Sequence, residues 1–252
     1  MKNIFLDLNC LHGDKVIISD DDFHYLKNVR RIRKGNTLDA VIGDGKYRLV
    51  VSNVDKKSLE CDIVAGRKTR NENIVRIQVF QGLLKAKKMD FVVSKLSELG
   101  VEALFPLNTS RTVPVVDPRG SRSERWRKIA AEGSKISGIE TVMQVKDPVD
   151  ICKIRGDFKS EGLPVEGKQA LIVFSTAYTG CHIKQLLDTL DFSHDMMFSL
   201  FFGPEGGFSN KEIKSLLDIN GIPVSMGGLV LRSETATVVG AGFVRLYYSF
   251  RN

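Results

Sequence analysis

Tryptophan occurs once in this 252-residue chain, at Trp126, and cysteine four times, at Cys10, Cys61, Cys152 and Cys181. The cysteines form no Cys-x-x-Cys pair, and the four histidines, His12, His24, His182 and His194, are equally dispersed. Neither a disulfide framework nor a metal site is indicated, and a reduced, cytoplasmic setting is expected. No apolar run approaches the roughly 20 residues that cross a bilayer, so no membrane partner is expected. Asp7 comes too early for the apolar region of a secretory signal. The Gly-x-Gly-x-x-Gly spacing of dinucleotide-binding turns is missing, as is a glycine loop ending in Lys-Ser or Lys-Thr. Internal repeats and low-complexity stretches are missing too. What remains is ordinary for a soluble globular protein, 42% hydrophobic and 27% charged, long enough for one large or two modest domains.

The net charge of +7 is unevenly placed. Residues 1–135 carry 26 Lys and Arg against 17 Asp and Glu, whereas residues 136–252 carry 11 against 13. A polyanion would dock on the first half, because neutralising phosphates needs local positive charge. Two basic clusters are candidates for phosphate contact. Arg30, Arg31 and Arg33 form one, and Lys85, Lys87, Lys88 and the more distant Arg111 form the other.

The first 70 or so residues are β-rich, with short runs at Lys15–Ile18, Leu38–Ile42, Tyr47–Val51 and Leu59–Val64, and a hairpin turn at Gly43-Asp44-Gly45. Asp20-Asp21-Asp22 opens a short helix predicted to reach Val29. Such spacing predicts a small barrel over residues 1–70, and a polar linker follows at residues 66–73. From residue 74 to 252 strands alternate with helices: strands over residues 74–80, 101–106, 171–174 and 196–202, helices over 89–99, 124–136 and 183–190. That alternation predicts an α/β domain with a parallel sheet covered on both faces. A polar, glycine-rich surface loop is expected over residues 156–167.

The strand over residues 196–202 runs into Gly203-Pro204-Glu205-Gly206-Gly207, then into Ser209-x-x-Glu212, a capping box that starts a helix. Ligands bind at such junctions in open α/β sheets, outside the carboxyl ends of the strands. Three glycines permit close backbone approach, Pro204 stiffens the turn and Glu205 supplies a carboxylate. Gly206 is the position where a β-branched side chain would intrude and oppose positive φ. A second junction follows, where Gly227-Gly228-Leu229-Val230-Leu231 ends an apolar run before Arg232-Ser233-Glu234-Thr235-Ala236 opens the last helix. The Gly203–Gly207 turn alone reads better as plain structure. Two in one compact region imply a shared pocket.

These two motifs together resemble the C-terminal signature of the SPOUT methyltransferases, and within them the RsmE family, which methylates N3 of a uridine in 16S ribosomal RNA of the bacterial small subunit. Lys95-Leu96-Ser97-Glu98-Leu99-Gly100-Val101, with Pro106 and Arg111 beyond, resembles the family's Lys-x-x-Glu-Leu-Gly-Val block. His24, Val29-Arg30-Arg31 and Gly35 resemble its N-terminal pattern, with Arg30 where Leu is usual. The resemblance covers nearly the whole chain. It departs at Ile136 and Ile139, where Gln and Arg are usual, so two polar groups on the substrate side become apolar.

The resemblance implies a PUA-like RNA-binding barrel followed by a knotted SPOUT domain, S-adenosyl-L-methionine as cofactor, and 16S ribosomal RNA or the assembled small subunit as partner. It also implies a homodimer through the C-terminal domain. The cofactor would lie against Phe174, Gly203, Pro204, Glu205, Gly206, Gly207, Met226, Gly227, Leu229, Leu231 and Ala236, with the leucines contributing backbone groups while their side chains pack in the core. Arg232, Glu234 and Thr235 are the candidates nearest the chemistry. Arg232 and Glu234 can pair with each other, and Thr235 either caps the last helix or bonds the cofactor or base. Gly240 and Gly242 in that helix call for a close neighbour, since each costs a helix roughly 1 kcal/mol relative to Ala. The rival reading is a non-catalytic RNA-binding or ribosome-assembly factor that keeps the fold, favoured by Ile136 and Ile139 and opposed by the intact glycines.

Overall fold

The computed structural model describes residues 4–42, 45–68, 75–112, 121–137, 141–154, 169–178, 180–193, 196–228 and 230–249. The chain forms two compact units, Met1–Asn71 with Ser134–Val142, and Glu72–Gly133 with Met143–Asn252. The expected hairpin turn at residues 43–45, the linker and the polar loop over 156–167 lie wholly or partly outside the described residues, as do Leu229 and Ile139.

The first unit holds a six-stranded sheet. Its strands are β1 (Ile4–Leu6), β2 (Leu11–His12), β3 (Lys15–Ser19), β4 (Thr37–Ile42), β5 (Gly45–Val54) and β6 (Ser58–Lys68), in the order β1-β4-β5-β6-β3-β2. Only the β1–β4 pair is parallel. In β3, Val16 and Ile18 are buried while Lys15, Ile17 and Ser19 face water, the period-2 pattern of a half-buried strand. The core gathers Leu38, Ala40, Leu49, Val51 and Leu59 around Phe23 and Leu26. Those two come from α1 (Asp20–His24) and the segment after it. The helix expected to run unbroken to Val29 instead widens into a π turn over Tyr25–Val29. Arg30 N–H donates to the Tyr25 carbonyl at 3.2 Å and closes that wider turn.

The second unit is built on a parallel sheet of β7 (Arg76–Gly82), β8 (Ala103–Asn108), β9 (Gln144–Val145), β10 (Val149–Asp150), β11 (Gln169–Phe174), β12 (Met197–Phe202) and β13 (Ile222–Val224). The order is β10-β8-β7-β12-β11-β13, with β9 also pairing with β8. The helices are α2 (Ala86–Glu98), α3 (Ser121–Ser137), α4 (Ile183–Thr189), α5 (Asn210–Leu217) and α6 (Ser233–Ser249). Every residue of β12 is buried, which is why it reads as an apolar run broken only by Ser199 and not as alternation. Alternate side chains serve two cores. Ile77, Val79, Leu104, Leu200 and Phe202 join residues of α2, α4 and α6, while Phe80, Phe105, Val173 and Phe201 join Leu216 of α5. The Phe80 ring stacks between Phe105 and Phe201 at 4.6 and 4.4 Å. Trp126, the lone tryptophan, is buried in the first of these cores.

The α/β class, the parallel sheet and its coverage on both faces match the sequence expectation. Two boundaries differ. The last strand is Ile222–Val224, so Gly227, Gly228, Val230 and Leu231 lie in an irregular loop beyond it. The last helix starts at Ser233, which puts Thr235 inside its first turn and not at its cap.

This topology fixes where a ligand can sit. From β7 the chain leaves toward β8 through α2, and from β12 it leaves the opposite way, toward β13 through α5. Neighbouring strands whose connections diverge open a crevice at their carboxyl ends. Here those ends are Gly82 and Phe202.

Candidate active site

Gly82 and Gly203 bring two backbones into near contact. A Cβ built on Gly82 would fall 2.5 Å from the Pro204 ring and 2.5 Å from its backbone nitrogen. One built on Gly203 would lie 2.9 Å from the backbone of Gly207 and Phe208, so only glycine fits either position. The left-handed residue of the loop is Gly207, with φ 68°, held by its N–H to the Pro204 carbonyl at 2.8 Å. Gly206, expected to carry the conformational demand, is not left-handed; a Cβ there would meet Arg111, whose Cβ lies 3.3 Å away.

The start of α6 is tied to this loop through a buried glutamine that the sequence did not single out. Gln81, fully buried at the end of β7, donates through Nε2 to the carbonyls of Gly82 (2.8 Å) and Gly203 (3.3 Å) and to Ser233 Oγ (3.2 Å). Ser233 Oγ itself donates to the Gly203 carbonyl at 2.6 Å. The Thr237 hydroxyl, one turn along α6, closes on Gln81 Oε1 and lies 2.9 Å from the Ser233 carbonyl. Three separate stretches of sequence therefore share one network of hydrogen bonds.

Charge joins the same three stretches at the surface. Lys88, in the first turn of α2, lies 3.2 Å from Glu205 and 3.4 Å from Glu234. Glu234 Oε2 is buried and takes no hydrogen bond, so Lys88 is what balances it. The Arg232–Glu234 pair anticipated from sequence does not form; Arg232 is exposed. Desolvation alone would lower the Lys88 ammonium, but the two carboxylates outweigh it and it titrates above the usual lysine range. Desolvation raises Glu205, and hydrogen bonds from its own backbone N–H and from Lys88 more than reverse that, leaving it below the usual carboxylate range. The triad of Glu205, Glu234 and Lys88 carries one net negative charge.

Arg111 also turns inward. Its Nη1 donates to the Gly206 carbonyl at 2.7 Å and to that of Phe208 at 3.4 Å, clamping the loop from the end of β8. Arg111 and Lys88, read from sequence as phosphate contacts, are engaged within the site. Beside the clamp, Glu212 of α5 completes the capping box with Ser209 and accepts the Ser110 N–H at 2.7 Å. Lys85 and Lys87 remain exposed at the start of α2.

Of the other expected cofactor residues, Phe174 stacks on Phe202 at 4.4 Å, and Met226 and Ala236 pack against the core. Gly227 is left-handed, with φ 96°, and Leu231 is half-buried. Space opens beside these loops: a Cβ on Gly207, Gly227 or Gly228 would meet nothing within 4 Å. Gly240 is explained by the same neighbourhood, because its Cβ would fall 2.8 Å from the Phe202 ring and 3.2 Å from Phe174. The close neighbour of that helix is thus the end of the sheet, and Gly242 faces Leu99 beyond the end of α2 at 3.8 Å. Among the described residues no cluster of His, Cys, Asp and Glu could hold a metal ion, and no helix is long and apolar enough to cross a membrane.

Residues 71–245 match the family model described as an RNA methyltransferase domain. The chain belongs to that family. Residues 18–64 match the RNA methyltransferase PUA domain, which assigns the first unit's sheet. Among curated members of the RNA methyltransferase family, ribosomal RNA small subunit methyltransferase E of Bacillus subtilis is 26% identical, over 87% of this chain and 85% of its own length. The enzyme of the same name from Aquifex aeolicus is 28% identical over 90% and 92%. Solved structures share the fold over the full length. The methyltransferase E of Neisseria gonorrhoeae, bound to S-adenosyl methionine, has a TM-score of 0.77 at 24% identity, covering 98% of both chains. A probable rRNA methyltransferase from Porphyromonas gingivalis has a TM-score of 0.79 at 20% identity and covers both chains completely.

Proposed function

We propose that this chain is an S-adenosylmethionine-dependent methyltransferase that modifies N3 of a uridine in 16S ribosomal RNA. The observation that carries the reading is the interlock at the carboxyl ends of β7 and β12, where the Gly203–Gly207 loop, Gln81 and the start of α6 enclose an open, glycine-lined edge. That interlock occurs in an RNA methyltransferase whose curated relatives are named for the small ribosomal subunit. The residues fit the cofactor. Gly207, Gly227 and Gly228 leave their backbones uncovered, and the net negative triad of Glu205, Lys88 and Glu234 suits a sulfonium cation. A knotted crossing is part of this proposal, supported by the path that returns α6 from the sheet edge at β13 to the end of β12.

Bound S-adenosylmethionine supplies the methyl group. The chain's part is to hold the two loops rigid and keep the nucleophile in line, and positioning of this kind supplies several kcal/mol or more. Uridine N3 lies on the Watson–Crick edge, so the base must be unpaired or extruded when it reacts. Arg232, Glu234 and Thr235 stand at the start of α6, where that base would enter. Domain roles follow the units, with residues 1–70, the half-buried Arg30 and the exposed Arg31, Arg33, Lys85 and Lys87 engaging RNA and residues 74–252 performing transfer. The work belongs in the cytoplasm, on free rRNA or an assembled subunit. Titration of the protein with S-adenosylmethionine and with ATP, followed by methyl transfer to small subunits, tests the reading. Binding of the first only, with N3-methyluridine formed, is expected. RNA binding with no cofactor binding would point instead to an assembly factor.

The functional form is proposed to be a homodimer through α6. Val239, Phe243 and Leu246, spaced one helical face apart, are 47, 37 and 54% exposed. Such a stripe on a terminal helix is what a partner subunit would cover. Sedimentation at micromolar concentration should give a dimer, and Phe243→Glu a monomer. A fully active wild-type monomer would rule it out.

A further inference from the structure

The first unit carries an exposed apolar pair beside its basic cluster. Tyr25 is 45% exposed and Val29 68% exposed, while their neighbours Phe23 and Leu26 are buried. The π turn explains the display. Arg30 N–H bonds back to the Tyr25 carbonyl and Ile32 N–H to that of Leu26 at 3.1 Å, so the basic stretch folds over the turn that presents Tyr25. Arg31 holds φ 50°, a conformation disfavoured for a residue with a Cβ, and the segment after it is pinned. Arg33 N–H donates to Asn36 Oδ1 at 2.9 Å, and Gly35 N–H to the Val51 carbonyl at 2.8 Å. Lys27 is drawn elsewhere, over the Phe23 ring and toward the Asp55 carbonyl. The result is a turn that displays an aromatic ring and an apolar side chain and leads straight into Arg30, Arg31 and Arg33.

We infer that Tyr25 is a stacking platform for an unpaired RNA base, with Val29 against the same base or its sugar and the arginines on the flanking phosphates. The proposal rests on RNA being the substrate and adds which form of RNA this turn takes. Charge selects a polyanion, and the exposed ring selects a strand whose bases are free to splay, since paired bases offer no face to stack on. A duplex would use the arginines alone.

Fluorescence anisotropy on the full-length protein tests this, with an oligouridine strand and an RNA duplex of equal length as probes. Tyr25→Ala should weaken oligouridine binding by about tenfold or more, leave the duplex unchanged and keep the salt dependence of the parent. Tyr25→Phe should restore affinity. An oligouridine with abasic positions should lose the same factor against the parent protein, a measurement that needs no mutant to fold. The triple change of Arg30, Arg31 and Arg33 to Ala should weaken both probes and flatten the salt slope by about 0.7 log units per lost contact on a single strand. If the triple variant loses RNA while Tyr25→Ala and the abasic probe bind like their parents, stacking is wrong and docking stands. If no variant moves either probe, the docking site itself is wrong and the inference falls with it.

Discussion

Replacing Gly203 with alanine is expected to weaken S-adenosylmethionine binding and to cut the methyl-transfer rate by about 100-fold or more, since a misplacement near 1 Å costs about that much in rate at a preorganised site. The added Cβ would sit 2.9 Å from the backbone of Gly207 and Phe208, atoms that cannot swing aside as a side chain can. Gly82→Ala should do at least as much, with its Cβ 2.5 Å from the Pro204 nitrogen. Gly206→Ala is the control. Its Cβ would lie 3.3 Å from Arg111 Cβ, a contact that a loop shift of a few tenths of an ångström relieves, so affinity should fall far less than in the other two. Isothermal titration and a methyl-transfer assay on variants whose circular dichroism matches the parent check all three. Parental affinity in folded Gly203→Ala would remove the loop from the site.

That ordering of the glycines was not legible in the sequence. Composition marks Gly203–Gly207 as a turn needing backbone freedom, but cannot say which position is crowded by backbone at 2.9 Å and which meets only Arg111 at 3.3 Å. Gly82 gave no signal at all, because its demand comes from Pro204, 122 positions away in the chain, and arises only once β7 and β12 pair. The strands themselves read well. Met197–Phe202 is apolar but for Ser199 because both faces are covered, and the Ser209–Glu212 box marks the start of α5 at the residue where the chain turns.

The misreadings share a cause. Thr235 was weighed as a cap, yet Ser233 begins the helix because its hydroxyl and Gln81 converge on the Gly203 carbonyl, a tertiary constraint that local propensity does not contain. Lys88 and Arg111 read as candidate phosphate contacts, and the fold closes them onto carboxylates and carbonyls of distant segments. Ile136, which breaks the family's polar pattern, is 68% exposed, so it is not a core substitution and gains nothing from burial. Gln81 did leave a trace. Two glutamines interrupt the apolar strand Ile77-Gln78-Val79-Phe80-Gln81, and a polar side chain in a strand covered on both faces must find partners. Gln78 finds Ser199 at 2.6 Å within the sheet; Gln81 finds the site.

Gln81→Leu is therefore the second substitution expected to have a large effect, and it separates the network from simple packing. Leucine fills a similar volume but takes the Gln81 donor from the Gly82 carbonyl, removes one of the two donors to the Gly203 carbonyl, and leaves the Thr237 hydroxyl only the Ser233 carbonyl. Stranding buried polar groups costs about 1–3 kcal/mol. For a chain of this size that lowers Tm by roughly 4–8 °C at about 2 kcal/mol, measured by calorimetry. Affinity for S-adenosylmethionine should fall by more than about tenfold, because the loop and the start of α6 lose their common tie. Gln81→Glu divides the two effects. It keeps an acceptor for Thr237 but sets a carboxylate against the carbonyls of Gly82 and Gly203, where the amide donated. Its cofactor affinity should thus be no better than that of the leucine variant, while its Tm rises as pH falls and the carboxyl regains a proton to donate. A Gln81→Leu protein with parental Tm and parental affinity would show that packing alone holds the two loops together.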